Sequence, residues 1–193
     1  MTARSTTAPA ARPAASPSGS NAAFVLAYKF EEVFRSAFEP PASSKAAKSV
    51  KVLAGRRSRL FHSHGQDATP VLNRDIAAHW AGRKLPATAV ERWFAASGLE
   101  RKKDLLTALL LSASTLSRAK PDTTVDASVT ERMLRQSELL VRAVDVFGEE
   151  GATWMTRPHD LLEGKSPLEY ASNEFGGAKV RQILNAIEYG GVV

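Results

Sequence analysis

The sequence predicts an all-α protein: a helical hairpin of helix-turn-helix form, followed by a small C-terminal helical bundle. Three observations carry this. Apolar residues recur at helical spacing in several stretches, with Phe30, Val33, Phe34, Ala37 and Phe38 at i, i+3, i+4, i+7 and i+8, and Val180, Ile183, Leu184 and Ile187 at i, i+3, i+4 and i+7. Caps and breakers punctuate those stretches at the expected places, as with Asn73, Pro86, Gly98, Pro158 and Ser166-Pro167. Between Leu99 and Pro121, two short helical patterns flank a tight turn.

The chain opens on Ala, Pro, Ser and Thr with two arginines, a composition that cannot build a packed core, so residues 1–21 are expected to be a disordered tail. Residues 22–66 are expected to hold an amphipathic helix ending before Pro40-Pro41, then a basic linker. Five aromatic residues lie between Phe24 and Phe38 and need a partner surface, which the protein's own core supplies most simply. Glu31, Glu32 and Glu39 argue against a membrane surface. The linker carries Lys45, Lys48, Lys51, Arg56, Arg57 and Arg59 without an acid, which suits solvent or phosphate. His62 and His64 lack the further ligands a metal needs.

Residues 67–127 read as the hairpin domain. Asn73 caps a helix from Arg74 to Trp80, and Pro86 opens another that runs to Ala96 and ends at Gly98. A scaffold helix is expected from Glu100 to Leu110, a turn at Leu111-Ser112-Ala113, and a second helix from Ser114 to Lys120. Leu105, Leu106, Leu109 and Leu116 would pack the pair. Ser114, Thr115, Ser117, Arg118 and Lys120 would then project from the second helix. These are residue types suited to a DNA groove, since hydroxyls and Lys reach phosphates and Arg reads guanine. Arg101, Lys102 and Lys103 sit at a helix start, against its dipole, where phosphate or solvent must receive them.

Residues 128–193 read as the C-terminal domain. Ser128 and Glu131 have the spacing of a capping box for a long helix to Phe147, with Val129, Met133, Leu140, Val144 and Phe147 on one apolar face. That helix is expected to join the two modules as a shared spine. Beyond it come a helix stopped by Pro158, a turn ended by Gly164, a helix capped by Ser166 with Pro167 and Glu169, and a last helix from Ala178 to Tyr189. Gly176-Gly177 is expected to end the third of these. Trp154, Leu161, Leu162, Leu168 and Phe175 would complete a small core.

The chain's 193 residues suffice for one domain or two small ones. Cysteine is absent, which excludes disulfides and thiolate chemistry and suits a reducing cytoplasm. No apolar run approaches the ~20 residues of a membrane span. The net charge of +6 is unevenly spread: residues 1–120 hold 19 basic against 8 acidic side chains, and residues 121–193 hold 7 against 12. A basic front fits a polyanion, and an acidic back fits a basic protein surface. No phosphate loop or serine elbow is present, so enzyme chemistry is not expected and no cofactor or metal is implied.

The order Phe147-Gly148, Ala152, Trp154, Pro158, Gly164-Lys165-Ser166-Pro167-Leu168, Gly176, Val180, Ile183-Leu184, Ile187-Glu188 and Gly190 resembles the toxin-binding domain of Xre/MbcA/ParS antitoxins. The resemblance covers about a quarter of the chain. The run Leu111-Ser112-x-Ser114-Thr115-Leu116-x-Arg118 is similar to the turn and recognition helix of Xre-type regulators. Together they imply the antitoxin of a type II system. It would neutralise a RES-domain toxin that acts on NAD, and it would repress its own operon as a homodimer on palindromic operator DNA. Toxin contacts are expected at the chain's tail, with the helical surface around Trp154, Tyr170 and Arg181 as the site of the block if the tail does not supply it. A blocking tail of Glu188, Tyr189, Gly190, Gly191, Val192 and Val193 would place carboxylates against the basic groups that hold the pyrophosphate of NAD. A dimeric helix-turn-helix transcription regulator without a toxin partner is the alternative, and a nucleoid or partition-type DNA-binding protein is a third.

Overall fold

A computed structural model describes residues 17–38, 59–63, 69–120 and 122–190. The expected tail up to residue 16, most of the basic linker, His64, and Gly191, Val192 and Val193 lie outside the described residues. In chain order the elements are α1 (Pro17–Phe38), β1 (Phe61–His62), β2 (Val71–Leu72), α2 (Arg74–Ala81), β3 (Leu85–Pro86), α3 (Ala87–Ser97), α4 (Lys102–Leu109), α5 (Ala113–Ser117), β4 (Thr124–Val125), α6 (Ala127–Phe147), α7 (Gly151–Thr156), α8 (Pro167–Tyr170) and α9 (Glu174–Tyr189). The protein is all-α. The strands are two-residue ties, β1 antiparallel to β2 and β3 antiparallel to β4.

Helix α1 begins at Pro17, inside the stretch expected as tail. It buries Ala23, Leu26, Ala27, Phe30, Val33, Phe34 and Phe38, the face that the 3.6-residue period demands. That face lies on α6 and α3. Phe30 stacks on Trp93 at 5.7 Å between ring centroids, and Phe34 and Phe38 meet Trp80 at 5.9 and 5.6 Å. The aromatic helix therefore finds its partner within the chain. Each such pair adds roughly 0.5–1.5 kcal/mol beyond the area it buries.

The register Leu85↔Val125 and Pro86↔Thr124 closes residues 85–125 into a loop that carries α3, α4 and α5. The Ala87 N–H donates to the Thr123 carbonyl at 2.8 Å, and the Thr130 hydroxyl donates to the Arg83 carbonyl at 2.7 Å. Asn73 caps α2 by accepting from the N–H groups of Asp75 and Ile76. Gly98, at φ +74°, ends α3 in the left-handed region that glycine enters freely. These caps stand where the sequence places them.

Helix α6 is the centre. It contacts α1, α2, α4, α7 and α9. Because neighbours surround it, its buried face is wider than the apolar stripe of the sequence. Arg135, Gln136 and Ser137 are buried alongside Leu139, Leu140 and Val141. Burial without partners would cost each polar group several kcal/mol, and each of the three side chains has partners, although the Gln136 amide oxygen accepts no hydrogen bond among the described residues. The Ser137 hydroxyl accepts from the Trp93 indole N–H and donates to the Met133 carbonyl, both at 2.7 Å. The Gln136 amide donates to the Leu168 carbonyl at 3.0 Å. Arg135 donates to the carbonyls of Ala171 and Ser172 at 3.0 and 2.9 Å and pairs with Glu131. Burial pulls the Arg135 pKa down, opposed by the carboxylates of Glu131 and Glu174. One arginine thus ties the spine to the segment between α8 and α9.

The structure corrects four local expectations. The Ser128–Glu131 box does not form: the cap position is Asp126, and Glu131 turns to Arg135. Gly176 and Gly177 do not end a helix but lie in the first turn of α9, which Asn173 caps by accepting from the Gly176 N–H. Their reason is close approach. A Cβ on Gly176 would stand 1.9 Å from the Tyr170 carbonyl oxygen, and one on Gly177 would stand 2.7 Å from Cδ of Arg135. The second hairpin helix, expected to reach Lys120, stops at Ser117 with Arg118 as its cap. Finally, Leu161, Phe175 and Ile187 are exposed rather than core, and the C-terminal module buries Met155, Leu162, Leu168, Val180, Ile183 and Leu184 instead.

Candidate functional site

The hairpin places its polar residues outward. Leu105 and Leu109 of α4 and Leu116 of α5 are buried and fix the pair against the core. The Arg132 guanidinium donates to the Leu109 carbonyl at 3.2 Å, satisfying an acceptor left open at the end of α4. The turn passes through Leu110 at φ +50°. Ser112 then caps α5, accepting from the Thr115 N–H at 3.2 Å. Its hydroxyl also meets those of Ser114 at 2.9 Å and Thr115 at 2.7 Å, so these three groups are locally satisfied while still facing solvent.

Ser114, Thr115, Ser117, Arg118 and Lys120 are all exposed to solvent. Among the described residues Lys102, Lys103, Arg118 and Lys120 make no ion pair within the hydrogen-bonding and charge contacts of the fold. Arg101 differs: it grips Asp104 with two hydrogen bonds of 3.0 Å, a contact that raises its pKa. It therefore positions the start of α4 and offers less to a phosphate than Lys102 does.

The expected protein-facing residues do not gather into one site. Trp154 stacks on Phe147 at 5.1 Å and tilts against His159 at 5.0 Å. Tyr170 lies under the Lys165 ammonium at 5.9 Å and lines a groove of about 590 Å³ shared with Leu110 and Phe175. Arg181 is paired with Glu138 at 2.8 Å and with Glu174. It borders a second cavity, of about 310 Å³, together with Arg142, Asn185 and Tyr189.

The tail residues split at Glu188. That carboxylate pairs with Arg142, which also holds Asp145 at 3.2 Å and the Asn185 side-chain oxygen at 3.1 Å. Glu188 is therefore anchored on the spine by that ion pair. Tyr189 is 69% exposed, and Gly190 leaves the helix at φ +68°. The clamp residue Arg142 was not anticipated. Its signal in the sequence was the lone cation of the second half of the spine, three residues before Asp145. Among the described residues no three His, Asp or Glu side chains gather as metal ligands would, and no helix is long and apolar enough to cross a membrane.

Residues 142–190 match the family model of the antitoxin Xre/MbcA/ParS C-terminal toxin-binding domain. The match begins at the Arg142 clamp, runs through α7 and α8, and ends with the Gly190 cap of α9. It supports an antitoxin role with a toxin protein as partner. No curated protein matches the chain.

Proposed function

We propose that this chain is the antitoxin of a type II toxin–antitoxin system, that it neutralises a RES-type toxin consuming NAD in the cytoplasm, and that it represses its own operon as a homodimer on DNA. The observation that carries the reading is the match of residues 142–190 to a toxin-binding domain, on a segment folded as one helical module. An NAD-consuming pocket needs cations for the pyrophosphate. This half of the chain is acidic, and its last helix ends in an exposed Tyr189 and a glycine cap. With Glu188 held by Arg142, the block falls to Tyr189 and the residues beyond it, an aromatic anchor of the kind that fills partner pockets.

Deleting Tyr189–Val193 is therefore expected to leave the fold and DNA binding intact while impairing neutralisation. Co-expression with the cognate toxin, read as growth and cellular NAD, checks it. Full protection by the truncated chain would move the block to the helical surface around Trp154, Tyr170 and Arg181.

The DNA reading rests on the outward hydroxyls and unpaired cations of the α4–α5 hairpin. Its second helix is only five residues long, about 7.5 Å at 1.5 Å per residue. Base contacts then depend on Ser114, Thr115, Ser117 and the capping Arg118 rather than on a long helix laid in the groove. Arg118→Ala is expected to weaken operator binding by about 1–3 kcal/mol, as for the loss of one bidentate base contact. Arg101→Ala is expected to weaken it less, because Asp104 already holds that guanidinium. Gel shifts on the protein's own promoter, at fixed salt, rank the two variants. Equal shifts by wild type and Arg118→Ala would remove Arg118 from the reading surface.

A further inference from the structure

Two side chains that local physics disfavours face the same groove. Leu110 adopts φ +50°, a conformation that a bulky residue rarely takes, and its side chain is 58% exposed. Phe175, in the first turn of α9, is 91% exposed. A glycine or asparagine at the first position and a polar residue at the second would suit an isolated monomer better. Both residues border the groove of about 590 Å³ that runs between the hairpin turn and the start of α9. One surface therefore carries a projecting aromatic ring and a hollow large enough to receive one.

We infer that this groove is the two-fold interface through which two copies of the chain pair, each inserting Phe175 into the hollow of the other. The inference rests on the homodimer of the proposed function and names its surface. A two-fold contact requires one patch to be complementary to itself. This patch has the knob and the hole side by side. Its rim also carries both charge signs, Lys179 and Glu169 beside the Lys165–Glu163 ion pair of 3.8 Å. A two-fold axis brings opposite signs together from such a rim, whereas a strongly basic or acidic partner would call for one sign. The apolar face of the spine α6 is consumed inside the monomer, where Val129, Met133, Leu140 and Val144 are buried among the neighbouring helices.

The placement has a functional consequence. Leu110 ends α4 and α5 begins three residues later, so a dimer closed over this groove fixes the two α5 helices relative to one another across the axis. Half-site spacing on a palindrome is set by such a fixed distance.

Light scattering coupled to size exclusion tests this on the full chain at micromolar concentration. The wild type is expected to run as a dimer. Phe175→Glu is expected to run as a monomer with unchanged helical circular dichroism, since the ring it replaces touches little of its own fold. Leu110→Gly removes an apolar contact while easing the backbone, and is expected to raise the dimer dissociation constant at least tenfold with the fold retained. A wild-type dimer that survives both substitutions overturns the groove but leaves the homodimer reading standing. A monomeric wild type overturns both. A dimeric Phe175→Glu protein that no longer captures the toxin overturns the two-fold interface and assigns the groove to the toxin.

Discussion

Gly176→Ala is expected to destabilise the protein by about 3–5 kcal/mol, despite placing a better helix former inside a helix. Helix propensity alone favours alanine over glycine by ~1 kcal/mol. The opposing effect is steric: the new Cβ would lie 1.9 Å from the Tyr170 carbonyl oxygen and 2.8 Å from its carbonyl carbon. Both are backbone atoms at the end of α8, which Ser166 and Pro167 hold at its other end, so neither can rotate away as a side-chain tip would. Relief requires α9 to move off α8, uncovering Leu168 and Val180. Gly82→Ala is the control. It has nothing within 4 Å of the added carbon and an ordinary φ of −76°, and is expected to change stability by under about 0.5 kcal/mol. Urea melts of the two variants provide the comparison. A Gly176→Ala protein as stable as its parent would show that the two helices are not in contact there.

Arg135→Met is expected to cost about 2–4 kcal/mol while keeping most of the volume of the side chain. The loss is one of donors. The carbonyls of Ala171 and Ser172 receive the guanidinium in the space between α8 and α9, and methionine offers neither a hydrogen bond. The Gln136 amide reaches Ala171 as a second donor at 3.4 Å, which spares part of the cost there. Glu131 and Glu174 lose their cation but are substantially exposed, so water takes over their charge and the penalty stays below that of a fully buried broken pair. Arg135→Lys is expected to recover only part of the stability, because one ammonium cannot reproduce the planar fork that serves two carbonyls at once. Thermal unfolding of the three proteins at equal concentration gives the order wild type, lysine, methionine. Equal melting temperatures would contradict the assigned role.

Local rules made much of this fold legible. Asn73, Gly98, Pro158 and Ser166 act through their own backbone and the next few residues, so their effects can be read without knowing the tertiary structure. The aromatic face of α1 and the spine of α6 also come from periodicity. The features that the sequence concealed depend on neighbours far along the chain. Arg135, Gln136 and Ser137 look like a solvated stripe until the partners between α8 and α9, and Trp93, are in place. Gly176 and Gly177 carry the composition of a helix stop, yet the demand on them comes from Tyr170 and from Arg135. Ser128 and Glu131 have capping-box spacing, and lose the role because the preceding Asp126 starts the helix earlier and Arg135 claims the glutamate.

The candidate site was less legible for the same reason. Polar groups chosen for a partner are taken up first by the protein's own fold: Glu188 by Arg142, Arg181 by Glu138 and Glu174, Arg101 by Asp104. The outward residues of α5 could be named from the hairpin pattern because a buried Leu116 dictates which way its neighbours point. The groove between Leu110 and Phe175 could not be named, since Phe175 reads as core and Leu110 as the last residue of a helix, and only the folded backbone leaves both outside.

The most direct test of the antitoxin reading is NAD consumption by the purified cognate toxin, titrated with the full chain. The account predicts that consumption falls in proportion to added chain and stops at a fixed stoichiometric ratio. Undiminished NAD consumption with the chain in large excess would contradict it.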